Sequence, residues 1–180
     1  VLKIFLLKKR PSFNPLICHF KDIKSMKKEV VFTKESDLLS KIFWPGPLTL
    51  ILRKKKKCSI SEIASSGLNT LACRIPSNKI ALDILNKFDG IIAAPSANLS
   101  SKLSSTCKDH VVKNFGDSIY IIDGGSTNYG IESTVVDLTG KKPIILRPGA
   151  IENKVIKKIL PNLISSNRLT NKISSPGQLK

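Results

Sequence analysis

Apolar residues fall in short runs separated by Pro, Gly, Asn and Lys, and the spacing inside each run predicts its element. Asn78 to Phe88 places Ile80, Ala81, Ile84, Leu85 and Phe88 at helical intervals, which predicts an amphipathic helix. Residues 36–43 (SDLLSKIF) predict another, with Ser36 as N-cap and the stiff Trp44-Pro45-Gly46-Pro47 turn as its stop. Val1 to Leu7 reads as the last turns of a helix, Cys107 to Phe115 as a helix opened by Thr106, and Glu152 to Leu160 as a further helix. The remaining runs are short enough for strands: Leu16 to Phe20, Leu48 to Leu52, Leu71 to Ile75, Ile91 to Ala94, Ile119 to Ile122, Glu132 to Leu138 and Pro143 to Leu146. Ile91 to Ala94 is continuously apolar, which predicts a strand buried on both faces. Gly130 to Asp137 and Leu146 to Gly149 read as a hairpin pair. From Ser165 onward the chain is polar and reads as a linker or tail.

Strands alternating with helices, followed by a strand-rich stretch over 119–146, predict an α/β fold with a sheet of mixed direction. At 180 residues the chain can bury one sizeable core, and no apolar run reaches the roughly 18 residues that span a bilayer. The four Cys (Cys18, Cys58, Cys73, Cys107) are far apart and form no CxxC pair, which argues against a zinc cage or redox motif; Cys18 and Cys73 read as core thiols of a cytoplasmic protein. The net charge is +17, from 30 Lys and Arg against 13 Asp and Glu. Such a balance suits a polyanionic partner such as RNA, or follows from a composition rich in Lys, Ile, Asn and Ser. No GxxxxGK[ST] or GxGxxG string occurs, so a nucleotide would not be held by a P-loop or a Rossmann fingerprint.

The residues that can carry chemistry sit at element boundaries. Lys8, Arg10 and Asn14 end a helix and lead into a strand; the cations complement a helix C-terminus or grip phosphate, which Arg can do bidentately. His19 ends the next strand, as a structural imidazole or as a donor to a substrate hydroxyl or carboxylate. Trp44 to Thr49 reads as scaffolding. Thr70 and Arg74 flank an apolar strand. A charge at Arg74 costs energy unless paired, so it meets either an acid or an anionic ligand. Ala94, Ser96 and Asn98 belong to Ala93-Ala94-Pro95-Ser96-Ala97-Asn98-Leu99-Ser100. Its small residues leave room for a ligand and its Ser and Asn supply donors and acceptors, at the strand end where open α/β sheets bind ligands. Ser104 extends that polar rim, and Thr106 is read as a helix cap. Ser133 and Arg147 are the polar members of the hairpin pair with ligand potential. No Ser/His/Asp triad or Gly-x-Ser-x-Gly elbow is present.

The strings KxRPxxNPLxxH, FWPGPLT, CRIP, APSANxS, ESTVVD and ILRPGAI, in this order over about residues 3–151, resemble the YrdC-like family of threonylcarbamoyl-AMP synthases. The resemblance implies a YrdC-like fold, a twisted sheet of parallel and antiparallel strands with flanking helices, over residues 1–162, with a linker or tail at 163–180. It implies ATP-dependent synthesis of threonylcarbamoyl-AMP from L-threonine and bicarbonate with release of pyrophosphate, for threonylcarbamoyladenosine modification of tRNA by a partner transferase. That is the chemistry of a nucleotidyltransferase. It assigns Arg10, Asn14, Thr70, Ser96, Ser104 and Arg147 to ATP. His19, Arg74, Ala94 and Ser133 fall around threonine, and Lys8, Arg10, Ser96 and Asn98 at the reacting centre. No protein metal ligand is implied; Mg²⁺ is expected to be held mostly by the phosphates.

Three departures stand out. The family's Pro-Thr-Glu-Thr-hydrophobic-Tyr-Gly string, normally upstream of KxRP, is not in this sequence. Ser101 stands where the Gly after APSANxS is expected, and Ser105 where a Pro follows the matching Ser. Ser174-Ser175-Pro176-Gly177 looks like the start of the interdomain linker of longer, two-domain members. The expectation is a middle piece of the longer type, without the family's N-terminal strand. Its competing readings are a non-catalytic double-stranded-RNA-binding module and an inactive product of a split gene.

Overall fold

The computed structural model describes residues 1–165. The chain opens with α1 (Leu2–Lys8), which ends where Lys9 adopts the left-handed conformation and Arg10 N–H returns to the Phe5 carbonyl. Pro11 prevents its continuation. Then follow β1 (Ile17–His19), α2 (Ile23–Glu29), α3 (Lys34–Phe43), β2 (Leu48–Arg53), α4 (Glu62–Ser65), β3 (Thr70–Arg74) and α5 (Lys79–Phe88). The chain goes on through β4 (Ile92–Ala94), α6 (Lys108–Phe115), β5 (Thr134–Asp137), β6 (Ile144–Arg147), α7 (Asn153–Ile159) and β7 (Ile164–Ser165).

Among the described residues the seven strands form one sheet in the order β4-β1-β3-β2-β5-β6-β7. The pairs β1/β3, β2/β5 and β6/β7 are parallel, and β1/β4, β2/β3 and β5/β6 are antiparallel. The mixed sheet and the hairpin of β5 and β6 are therefore as expected. Leu163 is buried in the core and β7 pairs with Ile144 and Ile145. The Ser174–Gly177 string lies outside the described residues.

Strand alternation divides the sheet into two faces. One carries Cys18, Leu50, Leu52, Leu71, Cys73, Val136 and Ile145. It packs against Met26 of α2, Leu39 of α3 and Ile156 of α7 as the main core, with Phe20 and Trp44 alongside. The other face buries only a small cluster of Ile17, Ile51, Ala72 and Val135, with Leu146 against it.

Several details differ from the sequence reading, each for a local reason. The N-cap of α3 is Thr33, not Ser36: Ser36 occupies N3 and closes a capping box with Thr33. Cys107, not Thr106, occupies the N-cap position of α6 and makes no side-chain capping bond, while the Thr106 hydroxyl pairs with His110 Nδ1 (3.2 Å). Ile119 to Ile122 forms no strand, and Tyr120 there is 92% exposed. β4 is the sheet's edge and only half-buried, not covered on both faces. Two helices, α2 and α4, were not anticipated. Met26 is the one buried apolar side chain of α2, too sparse a pattern to register a period, although the Asp22 cap on Ser25 N–H is a start signal.

Candidate active site

The lightly packed face of the sheet opens into a cavity of about 540 Å³. Such a volume suits a small-molecule ligand. Its walls bring together Lys8, Arg10, Asn14, His19, Arg74, Ala94, Ser96, Asn98, Ser104, Ser133 and Arg147, every anticipated site residue except Thr70. By alternation Thr70 shares the face of Ala72 and Arg74. It starts β3, however, opposite Arg53 and roughly 13 Å along the strand from Arg74. The structure does not bring it to the cavity wall.

Four cations held away from water define the electrostatics; a fifth in the wall, Lys102, is exposed. Lys8 is 5% exposed, at the end of α1. Its ammonium donates to the carbonyls of Ser96 (2.6 Å) and Asn98 and lies 6.0 Å from the Phe115 ring centroid. Ser100 N–H returns to the Lys8 carbonyl (3.0 Å), so the helix end and the APSAN loop are stapled together. Burial, then the nearby charge of Arg10, pulls the Lys8 pKa down to about 8. Arg10 donates to Asn14 Oδ1 (2.7 Å) and to the carbonyls of Asn14 (3.1 Å) and Pro15 (2.7 Å). Its pKa falls to about 10 through burial and then the charge of Arg147.

Arg74 ends β3 and donates from Nε to the Gly46 carbonyl (3.0 Å), while Gly46 N–H donates to the Ile75 carbonyl (2.9 Å). The Trp-Pro-Gly-Pro turn thus does more than stop α3, since it also orients a site arginine. A Cβ at Gly46 would stand 2.3 Å from the Phe43 carbonyl oxygen, so only glycine fits. Arg147 of β6 donates from Nε (3.1 Å) and Nη2 (2.9 Å) to the Ser133 carbonyl, and from Nη2 to Ser133 Oγ (3.0 Å). Ser133 Oγ also pairs with Thr49 Oγ1 (2.8 Å). Burial lowers the pKa of both arginines; Arg147 further depresses that of Arg74, whereas Glu132 partly offsets the effect on Arg147.

Among the described residues none of these four cations makes an ion pair within 4.0 Å; the salt bridges there join other side chains. For Arg74 the structure shows no acid within 4.0 Å among the described residues, its Nε being taken by the Gly46 carbonyl. Half-buried positive charges that repel one another carry an energetic cost, which a bound anion reverses. His19 sits beside them with Nδ1 3.4 Å from the Ile92 carbonyl. Its pKa is lowered to about 4 by burial and then by Arg74, so it is neutral at pH 7. Asn98 is held by its amide donating to the carbonyls of Leu99 (3.1 Å) and Lys102 (2.6 Å), while its Oδ1 is buried with no hydrogen-bond partner among the described residues.

The sequence reading passed over Glu132 and Tyr129, both in the cavity wall. Glu132 Oε1 accepts from Ser104 Oγ (2.5 Å), which ties the rim above β5 to the loop after β4. Glu132 stands inside the ESTVVD string, and Tyr129 just before it in a Gly-, Ser- and Asn-rich stretch. Their polar, turn-rich setting resembles that of APSANxS and was the available signal.

A mixed sheet with one face given to a cationic cavity, bordered by small-residue loops, defines the class as an α/β domain with a cation-lined pocket. Comparison with known proteins names its class. The Sua5/YciO/YrdC family model, described as "Telomere recombination", matches residues 1–149. The threonylcarbamoyl-AMP synthase of Pyrococcus abyssi is 44% identical over 164 residues, covering 89% of this chain and 47% of that protein. That of Bacillus subtilis is 42% identical over 162 residues, covering 89% and 46%. The crystal structure of P. abyssi Sua5 complexed with L-threonine superposes with a TM-score of 0.94 at 38% identity, over 99% of this chain and 54% of that one. The chain belongs to the Sua5/YciO/YrdC family, and it spans about half the length of the curated relatives it matches.

Proposed function

We propose that this domain binds ATP, L-threonine and bicarbonate and makes threonylcarbamoyl-AMP, acting as a nucleotidyltransferase for tRNA modification. The observation that carries this reading is the set of four cations around one cavity, none of them in an ion pair within 4.0 Å among the described residues, joined by the family's small-hydroxyl loop. The threonine amine takes up the carbon of bicarbonate and water leaves. One oxygen of the resulting carbamate attacks the α-phosphorus, the bond to the bridging oxygen breaks, and pyrophosphate departs with the electron pair. No protein nucleophile is required.

The roles follow from chemistry. Arg74 suits the threonine carboxylate, with neutral His19, Ala94 and Ser133 around the amino acid. Arg10, Asn14, Ser96, Ser104 and Arg147 suit the triphosphate, where guanidinium groups stabilise charge developing on pyrophosphate. Lys8 holds the loop that orients both substrates, and Asn98 fixes that loop from within. Among the described residues no three His, Cys, Asp or Glu side chains converge as a metal cage. With Glu132 as the acid of the wall, this donor set fits a Mg²⁺ ion carried in by phosphates and keeping most of its waters. Such an ion would add charge neutralisation on the phosphates.

The product would pass to a tRNA-threonylcarbamoyl transferase, and a cytoplasmic setting suits the buried, unbridged Cys18 and Cys73. Among the described residues no helix is long and apolar enough to cross a membrane. The test is pyrophosphate release from ATP. It should require both threonine and bicarbonate and be lost in Arg147→Ala. Release independent of threonine contradicts the reading, as does salt-sensitive RNA binding without any turnover. In calorimetry, Arg10→Ala should weaken ATP and Arg74→Ala mainly threonine; equal losses for both ligands in both variants contradict that division.

A further inference from the structure

The cavity is unequal from floor to rim. The four cations stand on strand ends and on the end of α1, and the rim is built from the loop before β5 and the stretch after β4. Tyr129 is the one aromatic ring besides the deep imidazole of His19 in that wall, and it is 50% exposed. Beside it Ile131, also in the wall, is 59% exposed. The backbone around the ring is tied down. Thr127 Oγ1 donates to the Tyr129 carbonyl (2.8 Å) and Thr127 N–H donates to the Thr106 carbonyl across the mouth (2.8 Å). Gly125 N–H donates to Asp123 Oδ1 (3.0 Å), and Ser104 Oγ closes on Glu132. The side chain itself makes no hydrogen bond among the described residues. A held loop therefore presents a half-exposed, flat apolar surface at the edge of a phosphate-suited cavity.

We infer that Tyr129 stacks on the nucleobase of the bound nucleotide, with Ile131 extending the apolar platform, while the cations below take the phosphates. The inference rests on the ATP-binding reading above and adds to it the residue that recognises a planar base. An aromatic ring gains free energy from any base through its π-face, so the contact favours nucleotides over simple polyphosphates. The hydroxyl is not needed for stacking.

The experiment compares two probes by calorimetry: ATP, and inorganic tripolyphosphate, which has the phosphates without the base. Tyr129→Ala should weaken ATP about tenfold, leave tripolyphosphate unchanged and preserve the unfolding midpoint, and Tyr129→Phe should bind ATP as the parent chain does. Unchanged ATP affinity in Tyr129→Ala overturns the inference alone, as does an equal loss for both probes. Failure of the parent chain to bind ATP at all overturns both this inference and the function on which it rests.

Discussion

Cys18 and His19 are neighbours in β1, and Cys73 and Arg74 are neighbours in β3 in matching register, yet they belong to opposite worlds. The two thiols are fully buried in the main core, where burial pushes the Cys18 pKa up to about 12. The imidazole and guanidinium face the cavity, where burial without ion pairing pushes their pKa values down. The same strands thus offer one face that holds the fold together and one that is electrostatically strained. Apolar burial on the first face supports charge held without an ion pair on the second.

The sharpest break in that contrast comes from the core face. Leu50→Ala empties a fully buried position and should cost about 2–5 kcal/mol of unfolding free energy in urea titrations. A cost under 1 kcal/mol would mean that this face does not carry the fold.

Acid should act through the other face. Between pH 6.5 and 4 the unfolded chain protonates His19 and the native chain does not, because its native pKa is about 4. The contribution of His19 is therefore present above pH 6.5 and is lost as pH falls toward 4, by at most about 3 kcal/mol. Unfolding free energies at pH 7 and 4.5 should show a smaller acid loss in His19→Asn than in the parent; equal losses would remove His19 from the account.

Arg74→Met should raise stability by about 1 kcal/mol, since it removes a charge held away from water without an acidic partner. Lowered stability, read from the same urea titrations, would show that the Gly46 contact outweighs the charge cost.

The smallest effect belongs to the loop after β4. Ser101 has φ 63°, a left-handed conformation that disfavours a side chain. Ser101→Gly should gain about 0.5 kcal/mol after the flexibility of glycine is subtracted. A drop in the thermal midpoint would show the serine side chain stabilising the loop.

Much of this arrangement was legible beforehand because it rests on strong local signals. Asn78 caps α5 as its spacing requires, by accepting from Ala81 N–H (3.0 Å). The KxRP, APSAN and ESTVVD strings end or follow elements, so their side chains converge at the cavity. What was missed has a physical pattern too. α2 was hidden by its Lys-rich composition. Ile119 to Ile122 carries strand-like residues, but the segment pairs with no strand and leaves Tyr120 92% exposed, so its β-propensity has no packing to act on. Tyr129 was silent because a single aromatic residue in a loop has no period.

The sequence by itself determined the elements with strong periods, the turns and caps, and the chemical types at the site, because those depend on neighbours a few residues away. Only the tertiary structure decided that β4 is an edge, that Thr70 stays out of the cavity wall, and that the four cations stand together with no acid in ion-pair contact among the described residues. Those outcomes depend on strand order and register, which bring residues far apart in the chain into contact and set which charges share one desolvated space.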